Sequence, residues 1–429
     1  MLEELKEKGY KFKIDSRKIE RGDVFLCLKG ENTDGHLFIE DALKRGASFV
    51  VIDNPSYVNL PLPERKKIIR VDNVLEEMLL SSSKILNNNS RIKIGITGST
   101  GKTTTKECLY YLLSPFFKTF RNELNMNTEI GIPLSILNQY SKEEISIIEL
   151  GLRQKGDLDL LTRFYKLDVA FITNVGPSHL EFLQTIETIA QEKMKITKNM
   201  ENGLLVLNGD YPILKELAPK TLKTLTFGSK KSNDAILESY EYNLNFSTTF
   251  YAKILGHNVM FTLNKYWSEG QLLDLLSALL FLVYIELPLE PFSLCNIDIP
   301  EARFQTITKK NTLIINDSYN ASYDSFRSAF RSISQINVHP KILIMGEMKE
   351  LGEYSRYYHE KVINEAKELF DEIYIYDPED KLNFSVQDKV IRLENIEGIK
   401  KLLSEIKKGL IYIKASNSTG IYEYLKDIL

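Results

Sequence analysis

Residues 92–105, IKIGITGSTGKTTT, constrain the chain more than any other stretch. Ile92, Ile94 and Ile96 make a β-branched run that reads as a buried strand. A glycine-rich turn follows, Thr97, Gly98, Ser99, Thr100 and Gly101, and then Lys102, Thr103 and Thr104 open a helix. Small residues let successive backbone N–H groups close around phosphate oxygens, and the positive end of the helix adds to the attraction. Lys102 then neutralises β/γ-phosphate charge, and the Thr103 hydroxyl is placed to ligate Mg2+. Ile96 stands where G-x-x-x-x-G-K-T has its first glycine, so this is the variant T-G-x-x-G-K-T. A chance Gly/Thr turn is the plain alternative, and a strand before with a helix after argues against it.

At 429 residues the chain has room for two to four domains. A net charge of −3 argues against a general nucleic-acid or membrane-surface role. Cys27, Cys108 and Cys295 are far apart and odd in number, so neither a disulfide framework nor a zinc pattern is expected. They read as reduced core residues of a cytoplasmic protein. The opening MLEELKEKGYKFK is charged and has no signal-peptide apolar region. The longest apolar run, residues 272–284, carries Asp274 and is too short to span a bilayer. A soluble protein with no membrane insertion is expected.

Three units are expected, at residues 1–88, 89–298 and 299–429. In the first, 24–28 and 49–52 read as strands and 38–45 as a helix ending at Gly46. Its polar clusters, Asp15-Ser16-Arg17 and the loop from Lys29-Gly30 to His36, read either as solvated turns or as a grip on an anionic ligand through Ser16, Arg17 and Lys29. Residues 86–90 read as a polar linker. The second unit alternates strands and helices, with polar residues at the strand ends after 145–148 and 169–173. That pattern predicts a parallel sheet with a ligand edge. Residues 221–265 shift towards period two and predict a small, mostly antiparallel excursion. The third unit predicts strands at 313–315, 342–345, 372–376 and 411–413, a smaller doubly wound domain with no phosphate loop of its own.

Four positions carry the chemistry. Glu149, at the end of an apolar strand, is either a solvated terminus or the Mg2+-associated carboxylate of a phosphate-loop enzyme. His179 lies in a Gly-Pro turn at another strand end, where a neutral imidazole can ligate a second divalent ion. Within residues 186–197, helical spacing puts Ile186, Ile189, Ala190 and Lys193 on one face. A lysine in an apolar stripe snorkels, shifts its pKa, finds a partner or is modified. A buried neutral amine can also take up CO2 as a carbamate, which turns a cation into a metal-binding anion. The fourth position is Asn316-Asp317-Ser318-Tyr319-Asn320-Ala321-Ser322, which follows a buried strand. It reads as a ribose- and adenine-gripping loop or as an Asx-type turn.

Taken together, these motifs resemble the Mur ligases, ATP-dependent amide-bond ligases of peptidoglycan precursor synthesis. The resemblance runs through DSRKIERGDVFLCLKGENTDGH (15–36), TGSTGKTTT (97–105), NMNTEIGIP (125–133), IELG (148–151), TNVGPSHLEFLQTIETIAQEK (173–193), LNGD (207–210), NDSYNAS (316–322) and GEMKELG (346–352). The last two resemble the member that adds D-Ala-D-Ala; the D-N-P-R-type motif of the diaminopimelate- or lysine-adding member is absent. The resemblance implies a three-domain α/β architecture: an N-terminal domain for the UDP portion, a central ATPase domain and a C-terminal Rossmann-like domain. It implies ATP and Mg2+ as cofactors, UDP-MurNAc-tripeptide and D-Ala-D-Ala as substrates, and a monomer. It also implies that Lys193 is carbamylated and shares one Mg2+ with His179, while Thr103 and Glu149 hold the other. Arg303, Asp317, Tyr319 and Asn320 would contact nucleotide. Ser16, Arg17, Lys29 and Gly30 would line the UDP site, with Asn125 and Asn127 near phosphate and substrate. The chain departs from the family pattern at Thr128, Ala302, Ser322-Tyr323 and 270–274. A ligase with another acceptor or amino acid, such as a folate-polyglutamylating enzyme, and a non-catalytic nucleotide-binding relative are the competing expectations. The 15–36 stretch speaks against the folate version.

Overall fold

The computed structural model describes the chain except residues 31, 58–60, 124, 290–296, 379–381 and 383–388, and describes only the backbone of 62 and 63. Cys295, Glu31 and Leu124 lie outside the described residues. Cys27 and Cys108 are free and buried. No helix among the described residues is long and apolar enough to cross a membrane.

Three sheets organise the fold. The first holds Phe12–Lys13, Val24–Leu26, Phe49–Ile52 and Ile68–Arg70 in chain order, all parallel. Helix Ile39–Lys44 covers it with Ile39, Ala42 and Leu43. Helix Val74–Asn89 leaves this unit, its start capped by Asn73 accepting from Glu76 N at 2.8 Å. It runs through most of the segment expected to be a linker, and only Ser90 falls outside it. The reason is tertiary: Met78, Leu79, Ile85 and Leu86 are buried, and Ser82 and Ser83 bond the Tyr165 hydroxyl and the Phe164 carbonyl. Packing on that side holds a polar asparagine run in a helix that propensity alone would end. Asn138 completes the joint, accepting from Phe12 N at 2.8 Å and donating to Phe12 O at 3.0 Å, as a neighbouring strand would.

The second sheet has nine strands. Its spatial order is Thr119–Arg121, Ile145–Glu149, Ile92–Thr97, Val169–Ile172, Leu204–Asn208, Lys223–Gly228, Ala235–Tyr242, Ser247–Ile254 and His257–Asn264. Neighbours are parallel up to Ala235–Tyr242, and the last two pairings are antiparallel. The antiparallel part expected within 221–265 therefore starts later, at Ala235, and extends the main sheet instead of standing apart from it. Phe250, Ala252 and Ile254 share the buried cluster under helix Glu269–Tyr284, and one cover serves both regions.

Strand order reverses at Ile92–Thr97, which lies between a later strand on each side. Such a switch point leaves a crevice beyond the carboxyl ends of the strands. Thr97 and Glu149 end their strands there, and Thr173 follows the end of Val169–Ile172.

The third sheet is ordered Gln305–Lys309, Asn311–Asp317, Lys408–Lys414, Lys341–Gly346, Glu372–Tyr376 and Val390–Leu393. Only its first pairing is antiparallel. The four expected strands all lie within it, joined by two edge strands whose partly exposed patterns give no clear period.

Candidate functional site

The phosphate loop is held from the neighbouring strand. Thr173 N donates to Thr97 O at 3.0 Å, and Thr100 N donates to Asn174 Oδ1 at 2.8 Å. Ser99 Oγ accepts from Gly176 N at 3.0 Å. Gly101 caps helix Lys102–Leu113 at φ +80°, and a Cβ there would lie 2.2 Å from Asp274 Oδ1. Glycine is required by conformation and by space at once. Lys102 folds back and donates to Gly98 O at 2.7 Å and Ser99 O at 3.4 Å. Burial pushes its pKa below the ordinary lysine value, with Glu149 opposing the shift.

Glu149 sits under that loop, 2 % exposed. Its Oε2 accepts from the Thr103 hydroxyl at 2.9 Å and its Oε1 from Asn127 Nδ2 at 2.8 Å. Lys106, fully buried, donates to Asn122 O at 2.7 Å and lies 3.6 Å from Glu149 Oε2. Burial alone would raise this carboxyl's pKa; Lys106 and Lys102 outweigh that and hold it below the ordinary value. The group is an anion in a dry setting, with an acceptor oxygen beside the loop hydroxyl.

Helix Ile186–Met194 is capped by Thr185, which accepts from Thr188 N at 3.1 Å. Ile189, Ala190 and Lys193 are all buried, as the spacing predicts. Lys193 is 0 % exposed and its Nζ has no hydrogen-bond partner. Burial first, then the positive charge of Lys102, pushes its pKa well below the ordinary lysine value. Snorkelling is excluded for this side chain. His179 stands at φ +58° before helix Leu180–Leu183, with Nδ1 2.5 Å from Glu350 Oε2. Burial lowers the His179 pKa and Glu350 counters it.

The third sheet faces these groups. Asp317 Oδ2 accepts from Lys414 Nζ at 2.6 Å and from the Tyr412 hydroxyl at 2.9 Å, and Oδ1 accepts from Phe304 N at 3.0 Å. The Arg303 guanidinium lies 4.3 Å from the centre of the Tyr319 ring, and Gln271 Nε2 donates to Arg303 O at 2.8 Å. Asp274 lies between the sheets, and burial raises its pKa well above the ordinary value.

One cavity of about 730 Å3 joins the two sets. Ser99, Thr100, Gly101, Lys102, Thr103, Thr104, Asn125, Asn127, Glu149, His179, Arg303, Asp317, Tyr319 and Asn320 line it. Thr97, Gly98 and Lys193 lie outside its lining, and so do Ser16, Arg17, Lys29 and Gly30. Ser16 is buried; Arg17 is exposed, its Nη2 2.8 Å from Asp15 Oδ2. The Lys29 and Asp34 backbones pair as an isolated antiparallel β-bridge, and Gly30 N donates to Thr33 O at 2.9 Å. Sequence patterns assign no role to Lys106, Asp274, Glu350 or Lys414. Lys106 carries a signal, one helical turn beyond Lys102; Lys414 ends the apolar run GLIYIK.

Residues 10–84, 96–264 and 302–413 match, in turn, the "Mur ligase family, catalytic domain", the "Mur ligase middle domain" and the "Mur ligase, glutamate ligase domain". UDP-N-acetylmuramoyl-tripeptide–D-alanyl-D-alanine ligase of Bacillus subtilis is 31% identical over 97% of this chain and 92% of that relative. The chain belongs to the Mur ligase family. The Rickettsia prowazekii Mur ligase of the same name is 30% identical over 82% of this chain and 78% of its own length. The crystal structure of MurF ligase from Thermotoga maritima in complex with ADP superposes with a TM-score of 0.89 at 34% identity, covering 97% of this chain and 96% of that one. The doubly wound and parallel sheets expected from the strand pattern are those of the Mur ligase fold.

Proposed function

We propose that this Mur ligase joins D-Ala-D-Ala to UDP-MurNAc-tripeptide at the expense of ATP, through an acyl phosphate, in peptidoglycan precursor synthesis. The observation that carries the reading is the single cavity in which the phosphate loop and Glu149 face Arg303, Asp317 and Tyr319 of the third sheet. Relatives with that ligase name match almost the whole chain, and the MurF neighbour was solved with ADP.

A carboxylate is a poor acyl donor, and phosphorylation supplies a leaving group. The tripeptide's terminal carboxylate oxygen bonds to the γ-phosphorus, and the bond to the bridging oxygen breaks to release ADP. The dipeptide amine then bonds to the acyl carbon, phosphate leaves, and the amine gives up its proton. The loop N–H groups from Gly101 to Thr104 and the Lys102 ammonium hold the phosphates. Lys102 leaves the Gly98 and Ser99 carbonyls to do so. Asn125 and Asn127 position the acceptor near them, and Arg303, Asp317, Tyr319 and Asn320 take the nucleoside side. Closure of the units over the cavity excludes water, which hydrolyses acyl phosphates.

The residues suit divalent cations. Among the described residues no three His, Cys, Asp or Glu side chains cluster as a metal site. Thr103 and Glu149 would hold one ion, and His179 with a carbamate on Lys193 the other. The unpartnered Lys193 amine, its pKa pushed well below the ordinary lysine value by burial, is the kind that accepts CO2. An ion bound there would supply charge neutralisation at the transferring phosphate oxygens.

Ser16, Arg17, Lys29 and Gly30 would take the UDP portion, and units 1–88, 89–298 and 299–429 the three roles of UDP binding, ATP binding and dipeptide delivery. A monomer in the cytoplasm accords with this chemistry. The test is phosphate release from ATP and UDP-MurNAc-tripeptide with and without D-Ala-D-Ala, followed by mass analysis. Release that requires the dipeptide, with product heavier by one dipeptide unit, is the expected result. Silence with both the diaminopimelate and lysine tripeptides, despite ATP binding, would overturn it.

A further inference from the structure

We propose that Lys414 is a positioning residue for the nucleotide: it braces the turn at residues 317–320 and leaves one oxygen of Asp317 to accept from a ribose hydroxyl. The proposal rests on the reading of Asp317 as a nucleoside contact.

Lys414 ends strand Lys408–Lys414, the parallel neighbour of strand Asn311–Asp317, and its register partner there is Asp317 itself. Side chains alternate along a strand, so Tyr412, two residues earlier, projects to the same face. One strand thus aims two donors at one oxygen of the other. Asp317 Oδ2 accepts from Lys414 Nζ at 2.6 Å and from the Tyr412 hydroxyl at 2.9 Å. That oxygen is filled. Oδ1 accepts from Phe304 N at 3.0 Å and keeps one acceptor site, on a carboxylate that lines the cavity.

Lys414 also reaches past the strand. Its Nζ donates to Asn320 O at 3.0 Å, so one ammonium ties both ends of the turn. Between those ends, Ser318 Oγ donates to Asn316 Oδ1 at 2.7 Å and Tyr319 N donates to Ala302 O at 3.1 Å. The turn so held presents the Tyr319 ring to the Arg303 guanidinium, 4.3 Å from the ring centre. Lys414 itself is buried, its Nζ 5.7 Å from the centre of the Phe326 ring. A buried ammonium needs partners, and the two acceptors on this one both belong to the nucleotide-facing turn. An ion pair that only joins two strands is the alternative. Those strands already pair along their whole length, and Asn320 lies beyond them.

The test is calorimetric titration of the full-length enzyme with ADP, 2′-deoxy-ADP and 3′-deoxy-ADP. A hydrogen bond to a charged group is worth roughly tenfold or more in affinity. We expect the wild type to bind at least one deoxy form about tenfold less tightly than ADP. Lys414→Met should lose about tenfold in ADP affinity and most of that preference, and should add no further loss on Asp317→Asn. In ligation, the KM for ATP should rise more than kcat falls. Lys414→Met alone leaves Asp317 without its charged partner; should it fail to fold, the double variant with Asp317→Asn, which removes both charges, is compared with Asp317→Asn and carries the test. Wild-type preference retained in Lys414→Met, or a full added loss on Asp317→Asn, would overturn the proposal. Equal binding of all three nucleotides by the wild type would overturn the ribose contact and the proposal with it. Failure to ligate D-Ala-D-Ala with the nucleotide preference intact would overturn the assigned reaction alone.

Discussion

Replacing Lys193 by Met isolates the consequence of burying an amine without a partner. Nζ has no hydrogen bond and the residue is 0 % exposed, so the folded state disfavours the ammonium. The unfolded chain binds that proton up to about pH 10.4. The folded pKa lies well below that, first through burial and then through Lys102. The unfolded state therefore binds more protons in the interval between the folded and unfolded values, and stability rises with pH across it. Lowering the folded pKa by one costs about 1.4 kcal/mol of stability below that pKa. Methionine is close to lysine in volume, one atom shorter, and carries no charge, so Lys193→Met is expected to be the more stable protein at pH 7 in CO2-free buffer. The gap should close as pH approaches 10. Bicarbonate should stabilise the wild type, by mass action on a carbamate formed only in the folded state, and leave Lys193→Met unchanged. Urea unfolding followed by the single tryptophan, Trp267, buried at the start of a central-unit helix, reads this directly. Ligation should be lost in the same variant. A Lys193→Met protein no more stable than wild type at pH 7, with the same pH slope and the same response to bicarbonate, would refute the reasoning.

Two further outcomes are expected. Gly101→Ala meets both a backbone at φ +80° and an oxygen 2.2 Å from the new Cβ, so calorimetric ADP affinity should fall at least tenfold, about 1.4 kcal/mol; unchanged affinity would contradict the loop geometry. Burial pushes the Asp324 pKa up to about 6, above its ordinary 3.8, so its stabilising contribution is full below about pH 4 and lost as pH rises through 6. Asp324→Asn should flatten the thermal midpoint between pH 4 and 7, removing up to ~3 kcal/mol of pH dependence. Matching pH curves for the two proteins would count against that assignment.

Much of the site is legible in the amino-acid order. The phosphate loop is a local object: a β-branched strand, glycines and a helix start follow one another within fourteen positions, residues 92–105. Lys193 stands out because helical spacing puts it in line with Ile189 and Ala190, and all three are buried. The polar asparagines before Ser90 mislead, because propensity and polarity describe an isolated segment while Ser82, Ser83 and Leu86 bury theirs against another unit.

Periodicity, turn residues and β-branching act over a few positions, and through them the amino-acid order alone determined the alternation of strand and helix, the phosphate loop and the lysine stripe. Partnership is another matter. Asp317 and Lys414 are 97 residues apart and meet because two parallel strands are neighbours. Asp274 meets Gly101, and Glu350 meets His179, across joints between elements that no local pattern connects. Burial strips water from these groups, so the free energy of each charge depends on which partner the folded chain brings within hydrogen-bonding distance. Only the tertiary structure decides that.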